Sequence, residues 1–157
     1  MSTTVLPTAR MGHPALIVDG ALNALHALHK SIAATGLDPK LVELVSLRAS
    51  QINGCGACAV QHPRIAKRLG ETEDRINAVT AWREAPYFTE AERAALALTE
   101  AATRIADRPE PVSDELWDEV TRNFDEQELS ALLLAIAGIN VWNRLNVVTR
   151  QVAGAEW

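Results

Sequence analysis

The spacing of apolar residues along the chain follows the period of an α-helix. Aliphatic side chains between positions 14 and 35 fall on one helical stripe, and Gly36 follows them as a C-terminal stop. The stripe consists of Leu16, Leu22, Leu25, Leu28 and Ile32. This pattern predicts a first helix over residues 14–35. No sustained alternation of β-branched and polar residues occurs, so the sequence predicts an all-α fold.

Capping signals divide the remaining chain into further helices. Asp38 is placed as an N-cap before Pro39 at the first helical position, and Thr89 and Asp125 each precede a glutamate by three residues, as in a capping box. Asn53-Gly54 interrupts the second helix. The predicted helices run from 39 to this Asn-Gly break, from 55 or 56 to about 69, and over 73–83, 90–106, 114–121 and 126–151.

Composition and charge narrow the class of protein. A chain of 157 residues, 48% hydrophobic and 22% charged, matches a single domain over residues 1–157. The net charge of −5 and the absence of a basic run argue against a nucleic-acid partner. The N-terminus lacks the pattern of a secretory signal, and no uninterrupted apolar stretch is long enough to span a bilayer. We therefore expect a cytoplasmic protein without a membrane partner.

The two cysteines of the chain, Cys55 and Cys58, stand three residues apart. Cytoplasmic thiols are kept reduced, so a cysteine pair there is more typical of catalysis or metal binding than of a structural disulfide. Residues three apart share a helical face, which allows a disulfide to form with little backbone movement. A position in the first helical turn also favours a thiolate, because free backbone N–H groups and the helix dipole stabilise negative charge.

Two further residues extend this motif. His62 lies four residues after Cys58 on the same helical face, where its imidazole is placed to accept a thiol proton. Glu43 lies twelve residues before Cys55 within an apolar run, and we predict that it orients the imidazole and takes part in proton transfer. Two alternatives stay open, namely a metal site formed by the four side chains and a pair of buried cysteines without chemistry.

The order Glu43, eleven residues, Cys55-x-x-Cys58, three residues and His62 resembles the signature of AhpD-like alkylhydroperoxidases, within the carboxymuconolactone decarboxylase superfamily. Segments 48–55, 81–84, 92–96 and 139–144 are also similar to stretches of that family. The resemblance covers about 39–152, the expected core of the domain. It implies an AhpD-like helical bundle and a homo-oligomer, commonly a trimer or a hexamer.

The same resemblance implies a thiol-dependent reduction of hydroperoxides in antioxidant defence, a peroxiredoxin-type activity. The redox-active Cys55–Cys58 disulfide replaces any bound cofactor or metal, and an external dithiol, thioredoxin-like or lipoyl, reopens it. By this resemblance Glu43 and His62 form a proton relay, Cys58 attacks the hydroperoxide and Cys55 closes the disulfide. Reasoning from the helix dipole alone instead favours Cys55 as the nucleophile.

Features outside the motif add further expectations. Some members of the family carry a histidine at the position of Ala57, and Pro63 directly after His62 is expected to kink the helix and to reorient the imidazole. Asparagines of the last helix stand among large apolar residues, and we predict that they serve helix packing or subunit contact. They are Asn140, Asn143 and Asn146.

Two other functions stay open at this point. The wider superfamily includes lactone decarboxylases, which use an acid/base pair and need no redox-active cysteines. A non-enzymatic protein whose disulfide controls its assembly would also explain the cysteine pair. Peroxide turnover with a dithiol separates the first function from both of these.

Overall fold

The chain forms eight α-helices and two short 3-10 helices within residues 6–155, the part that this computed structural model describes. The α-helices are α1 (Pro14–Ile17), α2 (Ala21–Ala34), α3 (Pro39–Asn53), α4 (Gly56–Arg68), α5 (Glu73–Ala78), α6 (Glu90–Thr103), α7 (Asp114–Asn123) and α8 (Glu126–Thr149). The 3-10 helices are Val79–Ala81 and Ile105–Asp107. No strand occurs among these residues, and the all-α prediction is confirmed. Positions 1–5 and 156–157 of the predicted domain lie outside the described residues.

The prediction of one continuous helix over residues 14–35 is wrong. α1 ends at Ile17, the backbone of Val18 is extended, and α2 begins after Gly20, which has a φ of 77°. This left-handed conformation favours glycine because it has no Cβ. Apolar residues keep their helical spacing across the break, so periodicity alone does not show it.

The other predicted helices form; α3 ends at the predicted Asn-Gly break, and α7 runs two residues beyond its predicted end, to Asn123. The helix predicted over 73–83 ends at Ala78 and continues as a 3-10 turn. The guanidinium of Arg93 donates hydrogen bonds to the carbonyl oxygens of Trp82, Arg83 and Ala85, which follow this turn. Both predicted capping boxes are present, at the starts of α6 and α8. α6 and α8 also end two to three residues early, and 3-10 or left-handed residues follow them.

Helix α3 is the centre of the bundle. It packs against α4 and α8, and also against α6. Nine of its residues are buried, and they lie on several of its faces. Most are aliphatic, which explains why the segment reads as an apolar run. A helix buried on most sides is held by tertiary packing, and this makes α3 the rigid support for the side chains that it carries.

The buried side chains fall into three clusters. The largest joins α2, α3, α6, α7 and α8, and a second lies where α3 meets the segment from α4 to α6. The third cluster is small and contains Cys55 and Cys58 with Ala49, Ala57 and Ile139. The cysteine pair therefore lies inside the protein, at the junction of α3, α4 and α8.

Helix α8 is long and apolar enough to cross a bilayer by length and composition, with a mean hydropathy of 1.4 in its most apolar window. In the structure it packs against α2, α3, α4 and α6. It also carries three charged residues and three asparagines, of which Asn143 and Asn146 are buried. Core helices of globular proteins commonly share this length and composition.

Two glycines test the break between α1 and α2. Replacing Gly20 by alanine should lower the free energy of unfolding by about 1 kcal/mol, because a Cβ is strained at a φ of 77°. Gly138→Ala is the matched control. It lies inside α8, where an added Cβ would make ordinary contact with Leu28 at 3.7 Å, and it should raise the free energy by roughly 0.5–1 kcal/mol. Urea unfolding measures both, and equal changes of one sign would contradict the assigned break.

Candidate active site

The turn between α3 and α4 places the two cysteines. Gly54, with a φ of 67°, ends α3, and Cys55 follows as the N-cap of α4. Cys55 and Cys58 are joined by a disulfide, with their Cα atoms 5.4 Å apart. Cys55 Sγ also accepts a hydrogen bond from the backbone N–H of Cys58 at 3.3 Å. Their residues are only 2% and 4% exposed, so both sulfur atoms lie within the packed interior.

The same turn brings Glu43 of α3 beside His62 of α4. His62 Nδ1 and Glu43 Oε2 are 2.6 Å apart, and the two side chains are 17% and 6% exposed. A buried carboxylate needs such a partner because it has lost its hydration. This contact explains why a glutamate stands in the apolar run of α3. Among residues 6–155, no group of three or more His, Cys, Asp or Glu side chains is arranged to hold a metal ion.

Pro63 lies inside α4, which continues from Gly56 to Arg68 without interruption. The proline removes one backbone N–H, but the residue before it keeps helical hydrogen bonding. His62, directly before this proline, contacts Glu43, and a reorientation of its imidazole by Pro63 stays a prediction.

A cleft of about 580 Å³ opens beside Cys58, and we call it the Cys58 cleft. Glu43 and His62 line it together with Cys58. Its lining comes mainly from α2, α3, α4 and α8. Its apolar lining includes Leu22, Leu25, Leu28, Ile32, Ile139 and Trp142.

Cys55 does not line this cleft. It faces a smaller one of about 170 Å³, here called the Cys55 cleft, which is formed with Arg150 and Gln151 after the end of α8. The structure therefore brings Glu43, Cys58 and His62 into one cavity and directs the fourth predicted residue to another.

Asn146 of α8 is a site residue that the sequence analysis assigned to packing. Its Nδ2 donates a hydrogen bond to Cys58 Sγ at 3.2 Å, and the residue is buried. Hydrogen bonds from a neutral amide stabilise a thiolate relative to a thiol. The amide spacing on α8 was visible in the sequence, but nothing there shows which asparagine faces the cysteines.

The two neighbouring asparagines do serve packing between helices. Asn53 of α3 donates from Nδ2 to Oδ1 of both Asn140 and Asn143, each at 2.9 Å. Asn143 Nδ2 in turn donates to Ser50 Oγ at 3.0 Å. This amide network fixes α8 against α3 near the cysteine pair, as predicted for helix packing.

His13 covers the site from the N-terminal side. Its ring packs 5.4 Å from that of Trp142, and its Nδ1 accepts the backbone N–H of Ala15 at 3.1 Å. Burial lowers the pKa of His13, and hydrogen bonding with Asn146 only partly opposes this effect. The imidazole is therefore neutral at neutral pH, with its proton on Nε2.

A buried carboxylate also supports α3 away from the cleft. Glu100 of α6 accepts hydrogen bonds from Arg48 at 2.9 Å, Trp82 at 3.0 Å and Arg83 at 2.7 Å. Burial alone would raise the pKa of Glu100, but these donors outweigh it and hold the pKa below its usual value. The cluster joins α3 to α6, whereas Glu43 lies on the side of α3 that lines the cleft.

Comparisons with known sequences find a matching family and two uncharacterized relatives. The sequence profile of the carboxymuconolactone decarboxylase family matches residues 19–101. The uncharacterized protein YdfG of Bacillus subtilis (strain 168) is 41% identical over 114 residues, which cover 73% of this chain and 76% of YdfG. The uncharacterized protein YnjA of Escherichia coli (strain K12) is 36% identical over 111 residues, covering 70% of this chain and 59% of YnjA.

Solved structures show the same fold. ATU0492 of Agrobacterium tumefaciens, a protein of unknown function with a suggested role as the antioxidant defence protein AhpD, is 34% identical. It superposes with a TM-score of 0.86 over 95% of this chain and 100% of its own. The debrominase Bmp8, whose cysteine-to-alanine variant was solved with 2,3,4-tribromopyrrole, is 26% identical. Its TM-score is 0.73, over 85% of this chain and 71% of its own.

The contact of Asn146 with Cys58 is testable on the reduced protein. In a Cys55→Ser background, Asn146→Leu should raise the pKa of the Cys58 thiol and slow its alkylation by iodoacetamide at pH 7 by about ten-fold. Leucine keeps the volume and removes the donor. Asn140→Leu, on the same helix without a contact to sulfur, is the control. Equal alkylation rates in both variants would show that the amide does not stabilise the thiolate.

Proposed function

Because the chain belongs to the carboxymuconolactone decarboxylase family and is AhpD-like, we propose that it reduces hydroperoxides with its cysteine pair. The observation that carries this proposal is the Cys58 cleft. In it a disulfide-forming thiol, a hydrogen-bond donor to that thiol and a carboxylate–imidazole pair meet in one apolar cavity. An acid–base group beside the thiol can remove the thiol proton and can deliver a proton to the departing oxygen.

The proposed reaction begins with both cysteines reduced. The Cys58 thiolate attacks one oxygen of the hydroperoxide, an S–O bond forms, and the O–O bond breaks. The departing alkoxide takes up a proton and leaves as an alcohol, so that Cys58 becomes a sulfenic acid. The Cys55 thiolate then attacks the Cys58 sulfur, releases water and closes the disulfide. An external dithiol reduces this disulfide and is itself oxidised.

The Glu43–His62 contact supports a role for His62 in moving these protons. With Nδ1–H donated to the Glu43 carboxylate at 2.6 Å, the neutral imidazole keeps Nε2 free as the proton acceptor. His62 thus takes the thiol proton and returns it to the alkoxide. Glu43 is a positioning residue that holds the tautomer and stabilises the imidazolium.

The assignment of Cys58 as the attacking thiol rests on the clefts that the two cysteines line and on the hydrogen bonds that their sulfur atoms accept. Cys58 lines the cleft that also contains His62, and Asn146 donates to its sulfur. Cys55 faces the other cleft, and as the N-cap of α4 it accepts a backbone N–H. The N-terminus of α4 therefore stabilises a thiolate on Cys55 as the resolving residue. The helix dipole, which taken alone favoured Cys55 as the nucleophile, is thus compatible with a resolving role.

Reductive dehalogenation is a second candidate, favoured by the likeness to the debrominase Bmp8 and by the apolar lining of the Cys58 cleft. There a dithiol would supply two electrons, the carbon–halogen bond would be replaced by a carbon–hydrogen bond, and halide would be released with the disulfide. Release of bromide from a brominated pyrrole, without peroxide turnover, would favour this candidate. The dithiol partner, the homo-oligomer and the cytoplasmic location stay predictions.

Stopped-flow kinetics with cumene hydroperoxide and prereduced protein test the primary proposal. The wild type should consume one equivalent of peroxide while the Cys55–Cys58 disulfide forms, as read by mass spectrometry. Cys58→Ser should abolish the reaction. Cys55→Ser should still consume peroxide and should accumulate sulfenic acid on Cys58. Full activity in Cys58→Ser would refute the mechanism. Sulfenic acid that forms on Cys55 in Cys58→Ser, with none on Cys58 in Cys55→Ser, would reverse the order of the two thiols.

Variants of the relay test its second part. His62→Asn should lower the rate of peroxide consumption by about one hundred-fold or more, since a positioned acid–base group contributes this much. Glu43→Gln should lower it by roughly ten- to one hundred-fold and should change its pH profile, because the amide does not stabilise the imidazolium. Glu126→Gln, an exposed substitution at the start of α8, is the matched control. A loss of activity with an unchanged pH profile in Glu43→Gln would indicate a merely structural role.

A further inference from the structure

The face of α4 that lines the Cys58 cleft changes character along its length. Cys58, His62, Ile65 and Arg68 all line the cleft, at spacings of three or four residues. With a rise of about 1.5 Å per residue, the backbone positions of Cys58 and Arg68 are ~15 Å apart along the helix axis. The cleft therefore extends well beyond the space that a small peroxide needs.

The walls between these two ends are apolar. α2 contributes Leu22, Leu25 and Leu28, and Val42 and Ile139 come from α3 and α8. α2 packs on α8 and has at most minor contact with α4, which leaves the space between the two helices open. Half-buried leucines along such a cleft favour a ligand with an aliphatic or other apolar body.

Positive charge collects on the part of α4 that follows His62. α4 contains Arg64, Lys67 and Arg68 and no acidic residue, although the whole chain has a net charge of −5. Lys67 pairs with Glu73, whereas Arg64 and Arg68 form no ion pair with any residue between positions 6 and 155.

The two arginines face little negative charge across the cleft. Its single acidic lining residue among the described part of the chain is Glu43, which is paired with His62. Arg68 lies in the last turn of α4, where the helix dipole favours a cation in any case. Arg64 lies before that turn, and its Nη2 reaches within 3.8 Å of the Cβ position of Gly154 at the edge of the cleft.

We infer that the Cys58 cleft takes the hydroperoxide of an anionic amphiphile, such as a fatty acid. This inference rests on the proposed reduction of hydroperoxides. The peroxide group lies at Cys58, the apolar chain lies along the leucines of α2, and the carboxylate is bound by Arg64 and Arg68. The site thus recognises three parts of one molecule by three different interactions, namely reaction with a thiol, apolar burial and charge pairing.

The kinetic test compares linoleic acid hydroperoxide with its methyl ester, both below the concentration at which they form micelles. The wild type should show a kcat/KM for the acid about ten-fold above that for the ester at low salt, and the ratio should fall as salt rises. Arg64→Gln with Arg68→Gln should bring the ratio near one by lowering the value for the acid alone. Arg122→Gln, an exposed arginine of α7 that does not line the cleft, should change neither value.

A binding test separates this inference from the proposed reaction. In Cys58→Ser, which cannot turn over peroxide, calorimetry should show decanoate binding several-fold tighter than decanol, and the double arginine variant should lose this difference. Equal turnover of acid and ester, with no effect of the arginines, would overturn the inference and leave hydroperoxide reduction intact. Arginine-dependent binding of decanoate without turnover of any hydroperoxide would support the anionic site and refute the proposed reaction.

Discussion

The contact between the carboxylate of Glu43 and the imidazole of His62 constrains the rest of the site. It joins a carboxylate on the most buried helix, α3, to a histidine on α4, and the two groups are 2.6 Å apart. Neither group is easily accommodated alone in an apolar interior, because each needs a polar partner once water is removed. The turn at Gly54 lets α4 fold back on α3, and the pairing follows from that geometry. The cysteines stand at the start of α4 and therefore lie where α3 and α4 meet α8.

Rigid packing around this contact is what allows a buried disulfide to be part of a reactive site. On one side the amides of Asn53, Asn140 and Asn143 join α3 to α8, and on another Glu100 binds Arg48. These networks are buried or half-buried, so they hold the helices in place without closing the cleft. The cleft remains because α2 packs on α8 rather than on α4. The packed helices α3 and α8 therefore hold Cys58 in place, while the space between α2 and α4 leaves it open to a substrate.

The two cysteines of the disulfide line different clefts, so their surroundings differ. Cys58 shares its cleft with the carboxylate–imidazole pair and receives the amide of Asn146, while Cys55 faces Arg150 and Gln151 at the end of α8. A hydroperoxide that meets the Cys58 thiolate and a dithiol that reduces the disulfide need not share one approach to the cysteine pair. Such a division suits a reaction cycle in which one sulfur meets the oxidant and the other meets the reductant.

The sequence by itself determined the helical class, most helix starts and the four residues of the motif, because helical periodicity, capping boxes and residue spacing are local properties. The sequence did not show the helix break at Gly20, because the apolar spacing continues across the change in backbone conformation. The pairing of Glu43 with His62 was predicted from the motif, and the structure gives its atoms and its distance of 2.6 Å. Only the tertiary structure decided that Asn146 rather than Asn140 or Asn143 reaches Cys58, and that the cysteines face different clefts. These facts depend on how α8 is rotated against α3 and α4. That rotation follows from packing between residues about ninety positions apart, such as Ser50 and Asn143, which local patterns do not encode.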